Sequence, residues 1–99
     1  MRIANQNIGK EHNPFIIAEV GINHNGSLDL AKETILSAHQ SGASAVKIQT
    51  FKANSLCAEG SQYYDIFKKC EFSESQLIEL YQYASKNNIN LFSTVFDEW

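Results

Sequence analysis

Glu19, Lys47, Gln49, Ser93, Thr94 and Asp97, together with the run Asn23-His24-Asn25, are the residues of this chain whose types and spacing suit chemistry. Each lies within, or just past the end of, a short apolar run. In parallel α/β architectures the carboxyl ends of strands and the loops after them carry the catalytic groups. A glutamate and a lysine on neighbouring strands compensate one another's charge. With amides and hydroxyls beside them, they line a polar pocket suited to an anionic, oxygen-rich ligand. Lys47 anchors this reading. In Ala45-Val46-Lys47-Ile48-Gln49-Thr50-Phe51, a period of two puts Val46 and Ile48 on one face and Lys47 and Gln49 on the other. Burying an unpaired ammonium costs on the order of several kcal/mol, so that face is either wet or holds something negative.

Plainer readings stand beside this one. Glu19 and Lys47 also suit a purely structural pair inside a barrel. Asn23, Asn25 and Gly26 suit turn chemistry, and His24 a hydrogen-bonded loop residue. No second histidine stands at ligand spacing from His24, so no metal is assigned to residues of this chain. Tyr63 and Tyr64 read as packing residues. Cys57 and Cys70 are too few and too widely spaced for a zinc motif or a disulfide framework, and read as reduced thiols.

The elements that must position these residues follow from periodicity. Pro14 precedes Phe15-Ile16-Ile17-Ala18-Glu19-Val20, a nearly all-apolar strand of the kind covered on both faces in a parallel sheet. The loop Gly21–Gly26 is rich in residues that tolerate positive φ. Ser27 then caps a helix over 28–40, with Asp29 in its first turn and Leu28, Ala31, Ile35 and Ala38 as its buried stripe. Gly42 stops it, and the Lys47 strand follows over 45–51. A polar loop runs through Gly60, with a short helix about Tyr63, Tyr64, Ile66 and Phe67. Ser73-Glu74-Ser75-Gln76 is a capping box opening a helix over 74–86 with a stripe of Leu77, Leu80, Tyr81 and Ala84. A third strand covers 90–96. Residues 3–8 suit a small hairpin.

Strand–helix–strand–helix–strand predicts right-handed βαβ units and a parallel α/β sheet. Three such strands leave two open edges, whereas a (β/α)8 TIM barrel takes roughly 250 residues. The 99 residues therefore read as an incomplete barrel, the N-terminal fragment of a TIM-barrel domain, with the remaining strands absent.

Composition bounds the function. The chain is 43% hydrophobic and 19% charged, as a globular domain is. Its net charge of −3 speaks against a nucleic acid or a membrane surface as partner. No apolar run approaches the roughly 20 residues of a membrane span. The start, Met1-Arg2-Ile3-Ala4-Asn5, lacks the apolar core of a signal peptide, so a cytoplasmic location is expected.

Three stretches carry a more specific signal: Phe15-Ile16-Ile17-Ala18-Glu19-Val20-Gly21-Ile22-Asn23-His24-Asn25-Gly26, then Gly42 to Phe51, then Leu91-Phe92-Ser93-Thr94-Val95-Phe96-Asp97. In this order they resemble the sialic acid synthase family, with the first closer to the N-acetylneuraminate and legionaminate synthases than to the pseudaminate ones. The resemblance spans essentially the whole chain and implies the first three βα units of the family's barrel. It also implies a transferase reaction of carbohydrate biosynthesis, in which phosphoenolpyruvate condenses with the aldehyde of an N-acylmannosamine-type sugar to give a sialic acid and phosphate. By the same resemblance, Lys47 meets the phosphoenolpyruvate charge, Thr94 hydrogen-bonds that ligand and Gln49 holds ligand oxygens. Glu19 acts as acid, base or orienting group, and Asn23 makes first-loop contacts. A divalent metal, typically manganese, is implied on two histidines of later strands, outside this chain. No organic cofactor is implied, and the full-length protein is expected to be a homodimer with a carboxy-terminal antifreeze-like domain.

The chain departs from the family in two places. Val95 stands where proline is usual, and the 51–63 stretch is short, leaving a sugar-contacting asparagine without a counterpart. Two rival readings remain: a class I aldolase with Lys47 as the Schiff-base lysine, and a non-catalytic fragment that binds a partner through its open sheet edge.

Overall fold

The computed structural model describes residues 1–96. A hairpin of β1 (Arg2–Ile3) and β2 (Gln6–Asn7) leads into β3 (Ile17–Gly21), α1 (Leu28–Gln40) and β4 (Ala45–Thr50). Then come α2 (Ala53–Leu56), α3 (Tyr64–Cys70), α4 (Glu74–Lys86) and β5 (Leu91–Val95). β3, β4 and β5 form one parallel sheet with β4 in the centre. Each long helix carries the chain back to the end of the sheet where the next strand starts, which makes the pairing parallel. This is the arrangement of three consecutive strands of a (β/α)8 barrel, with the sheet open. The radius of gyration of 15.0 Å exceeds the roughly 13 Å of a compact domain of this length.

The caps do what their residue types dictate. Ser27 Oγ accepts from the Leu30 amide at 3.1 Å. At α4, Ser73 Oγ accepts from the Gln76 amide at 3.2 Å, while Gln76 Oε1 accepts from the Ser73 amide at 2.8 Å. Gly42 follows the end of α1 at φ +103°, a conformation that only glycine adopts without strain.

The core lies on one face of the sheet. Val20, Val46 and Ile48 pack there against Ala31 and Ile35 of α1, Leu80 and Ala84 of α4, and Phe72 and Ile89. Ile35, Val46, Ile48 and Leu80 are fully buried, each worth about 1.5–3 kcal/mol of transfer free energy. Lys32 and Glu79, 2.7 Å apart, join the two helices at their outer rim.

The amino-terminal ends of the three strands are laced by polar groups. Ser44 Oγ accepts from the Ile16 amide at 3.0 Å, and Asn90 Nδ2 donates to the Ser44 carbonyl at 3.1 Å. The Val46 amide donates to the Asn90 carbonyl at 2.8 Å.

Several expectations need correction. The first strand starts at Ile17 rather than Phe15 and continues to Gly21, with a register shift that leaves Val20 as an extra residue. It is not covered on both faces: Ile17 is 49% exposed and Glu19 is exposed. Leu77, Leu80 and Ala84 of α4 pack on the core, while Tyr81, 40% exposed, lies at the edge of that stripe with its side chain hydrogen-bonded to Ser93 of β5. The stretch read as loop holds α2, a single turn too short to show a period.

Candidate active site

In a parallel sheet, paired residues sit side by side and point the same way. Glu19 pairs with Lys47 and Lys47 with Phe92, while Gln49 pairs with Thr94. These five side chains occupy the face opposite the helices, in two levels. Four of them, Glu19, Lys47, Gln49 and Thr94, are expected site residues, and the sheet brings them together toward its carboxyl end. Lys47 Nζ lies 3.4 Å from Glu19 Oε1, with 26% and 54% of the two side chains exposed. At that exposure an ion pair contributes only about 0–1 kcal/mol. The pair is not a buried structural one among the described residues, and the ammonium can exchange its partner for another anion.

Ser93, expected at the site, is not there. It pairs with Ile48 and so shares the helix-facing side. Its hydroxyl donates to the Thr94 carbonyl at 3.0 Å and lies 2.6 Å from Thr50 Oγ1. In the Thr50–Ser93 pair either oxygen can donate, and the Tyr81 side chain of α4 also hydrogen-bonds to Ser93. The two hydroxyls thus tie β4 to β5 directly behind the Gln49–Thr94 level. Asp97 lies outside the described residues.

The loop after β3 is held tightly. Asn23 is exposed, and its Nδ2 donates to the Val20 carbonyl at 2.8 Å, closing the turn after the extra residue. His24 is 2% exposed; its Nδ1 accepts from the Gly26 amide at 2.9 Å, and its ring stacks on Phe72 with centroids 4.3 Å apart. Burial holds the imidazole below its ordinary value, favouring the neutral form. Gly26, at φ +82°, lies so close to the Lys69 carbonyl that a Cβ would collide with it. The Cys70 thiol points to the Ile22 carbonyl at 3.8 Å.

Sequence reasoning missed Glu71. Its Oε1 accepts from the Ala53 amide at 2.8 Å, capping α2, while Oε2 lies 3.4 Å from Lys68 and 3.9 Å from Lys52. The segment that follows β4 is thereby pinned over the carboxyl end of the sheet. Within it, Tyr64 Oη donates to Asn54 Oδ1 at 2.7 Å. No local pattern announces a cap supplied from 18 residues away. Among the described residues, no three His, Cys, Asp or Glu side chains converge as a metal site would need. No described helix is long and apolar enough to cross a membrane.

Residues 34–99 match the NeuB family. The N,N'-diacetyllegionaminic acid synthase of Legionella pneumophila is 44% identical over 98 residues, covering 85% of this chain and 28% of that protein. The human N-acetylneuraminate-9-phosphate synthase is 36% identical over 104 residues, covering 92% of this chain and 29% of that protein. The crystal structure of an N-acetylneuraminic acid (sialic acid) synthetase from Leptospira borgpetersenii, in complex with citrate, superposes with a TM-score of 0.87 at 34% identity. It covers 98% of this chain, which in turn spans 34% of that one. The chain thus spans about a third or less of the proteins it matches. With that architecture, these motifs and these relatives, the chain belongs to the NeuB family of sialic-acid-type synthases.

Proposed function

We propose that this chain, within a longer protein, supplies the phosphoenolpyruvate-binding wall of a synthase. That synthase joins phosphoenolpyruvate to the open-chain aldehyde of an N-acylmannosamine-type sugar, giving a sialic acid and phosphate. One observation carries the reading: Lys47 and Thr94 stand on one face, a level apart, flanked by Glu19 and Gln49. Successive levels on one face are about 6.6 Å apart, a span that one small ligand with two anionic groups can bridge. The names of the relatives support a synthase of this general kind.

In the reaction, the C2=C3 electron pair of phosphoenolpyruvate forms the bond from C3 to the aldehyde carbon, whose oxygen takes up a proton. Water adds to the electron-poor C2 and gives up a proton. The hydroxyl so formed on C2 passes its proton to the departing phosphate as the C2–O(P) bond breaks, leaving a carbonyl at C2 and inorganic phosphate. Lys47 meets the anionic charge of phosphoenolpyruvate with a charge-assisted contact, and Thr94 donates to the same ligand. Gln49 holds ligand oxygens through its amide. Glu19, beside the ammonium, orients the attacking water or takes its proton. Asn23 contributes contacts from the first loop. A divalent ion, manganese by resemblance, would take its ligands from residues outside this chain and would polarise the aldehyde oxygen.

A Schiff-base role for Lys47 is the rival reading, and borohydride trapping of substrate on Lys47 distinguishes it, because the synthase reaction passes through no imine. The test is Lys47→Ala in the full-length protein, with phosphate release followed against phosphoenolpyruvate concentration. A contact to a charged ligand is worth about 1.5–3 kcal/mol, so KM for phosphoenolpyruvate should rise and kcat/KM should fall by roughly 10- to 100-fold. An unchanged phosphoenolpyruvate dependence would remove Lys47 from the site.

A further inference from the structure

We infer that His24 is a positioning residue: a neutral imidazole latch that holds the β3–α1 loop against the junction of α3 and α4, and that acid releases. Four contacts converge on this loop from residues more than 40 positions away or from within it. The ring stacks on Phe72 at 4.3 Å, Nδ1 accepts the Gly26 amide at 2.9 Å, Gly26 abuts the Lys69 carbonyl, and the Cys70 thiol reaches the Ile22 carbonyl at 3.8 Å. Only a ring whose Nδ1 carries a lone pair can accept that amide, so the tautomer is Nε2–H. Protonation puts a hydrogen on Nδ1, turns the acceptor into a second donor facing the Gly26 N–H, and leaves a buried charge.

Among the described residues, the groups against the ring and its loop carry no free anion to offset that charge. Phe72 is apolar, Cys70 is a thiol turned to Ile22, and Lys69 presents its carbonyl. The one carboxylate of the junction, Glu71, is spent on Ala53, Lys52 and Lys68. Burial alone lowers the imidazole's affinity for a proton. Above the ordinary value of 6.5, folded and unfolded chains both carry a neutral ring and the latch is fully present. As pH falls below 6.5 the open form binds the proton first, so the latch weakens with acid. The loop carries Asn23 and follows Glu19 by only a few residues, so its release would disturb the end of β3 on the site face.

The test reads the loop itself and is independent of catalysis. In the full-length protein, nitrogen NMR should show His24 protonated at Nε2 alone at pH 8. Exchange of the Gly26 amide, relative to the Leu80 amide of the core, should quicken roughly tenfold between pH 8 and pH 5, about the worth of one hydrogen bond. His24→Asn keeps an acceptor at the Nδ1 position without a titrating proton, and should hold the Gly26 amide protected at both pH values. His24→Phe keeps a ring over Phe72 without an acceptor, and should leave the amide unprotected at both. A proton on Nδ1 at pH 8, or Gly26 protection that ignores both pH and substitution, overturns the inference. Should His24→Phe fail to fold, the tautomer and the pH profile of the unsubstituted protein still decide it.

Discussion

Gln49 and Thr94 stand side by side on neighbouring parallel strands, one level beyond Lys47 and on the same face, while the adjacent Ser93 points the other way. Two neighbouring hydroxyl residues therefore have separable roles. Thr94→Val removes a donor at nearly constant volume and should raise KM for phosphoenolpyruvate roughly tenfold, with little change in stability. Ser93→Ala breaks the bonds to Thr50, Tyr81 and the Thr94 carbonyl; it should cost about 1 kcal/mol of stability and leave KM within a small factor. Steady-state kinetics and denaturant unfolding of the two variants check both halves. The assignment of faces fails if Ser93→Ala has the larger effect on KM.

Gly26→Ala places a methyl group against the Lys69 carbonyl and forces a positive φ on a residue with a Cβ. A cost of about 1–3 kcal/mol is expected from the backbone conformation alone, and the loop must shift besides. Gly60→Ala is the control: nothing lies within 4 Å of its Cβ position, so a change within about 0.5 kcal/mol is expected. Thermal unfolding distinguishes them.

Ser73→Ala deletes one half of the capping box of α4 and should lower stability by about 1 kcal/mol. In urea the midpoint should move while the slope stays constant. A silent substitution would mean that Leu80 and Ala84 hold the helix without its cap.

Residues 1–99 alone should not release phosphate from phosphoenolpyruvate in the presence of N-acetylmannosamine and manganese, whereas a full-length protein should. On an open face, attraction between Lys47 and a phosphate falls to roughly 1 kcal/mol at contact. Ile17, Phe92 and Val95 are 49%, 40% and 65% exposed, so the isolated piece should also bind a hydrophobic dye or associate. Comparable turnover by the two proteins would contradict the reading of an incomplete site.

The sheet and both long helices were legible in the sequence because each has its own period and its own cap. The candidate site was legible wherever parity within one strand sufficed, as for Lys47 and Gln49. It failed at Ser93, because the facing of a residue in β5 depends on the register with β4. It failed again at α2 and Glu71, where one helical turn is capped from beyond the next helix. The burial of His24 escaped notice for the same reason: its stacking partner, Phe72, is 48 residues further along the chain, and a loop of turn formers looks the same whether it hangs in water or is clamped.

The lacing of Ile16, Ser44 and Asn90 has a consequence for how the chain avoids error while folding. A slip of one residue in β4 would send Lys47 and Gln49 under the helices and lift Val46 and Ile48 into water. The apolar alternation rejects that slip, but a slip of two residues keeps every side chain on its face and is rejected only weakly by valine and isoleucine. The side chains of Ser44 and Asn90 find partners at one offset only, so they act as a checkpoint at the end of the sheet remote from chemistry. Replacing them should yield a mixture of registers rather than a uniformly weaker fold, with the charged face scrambled in the misregistered fraction.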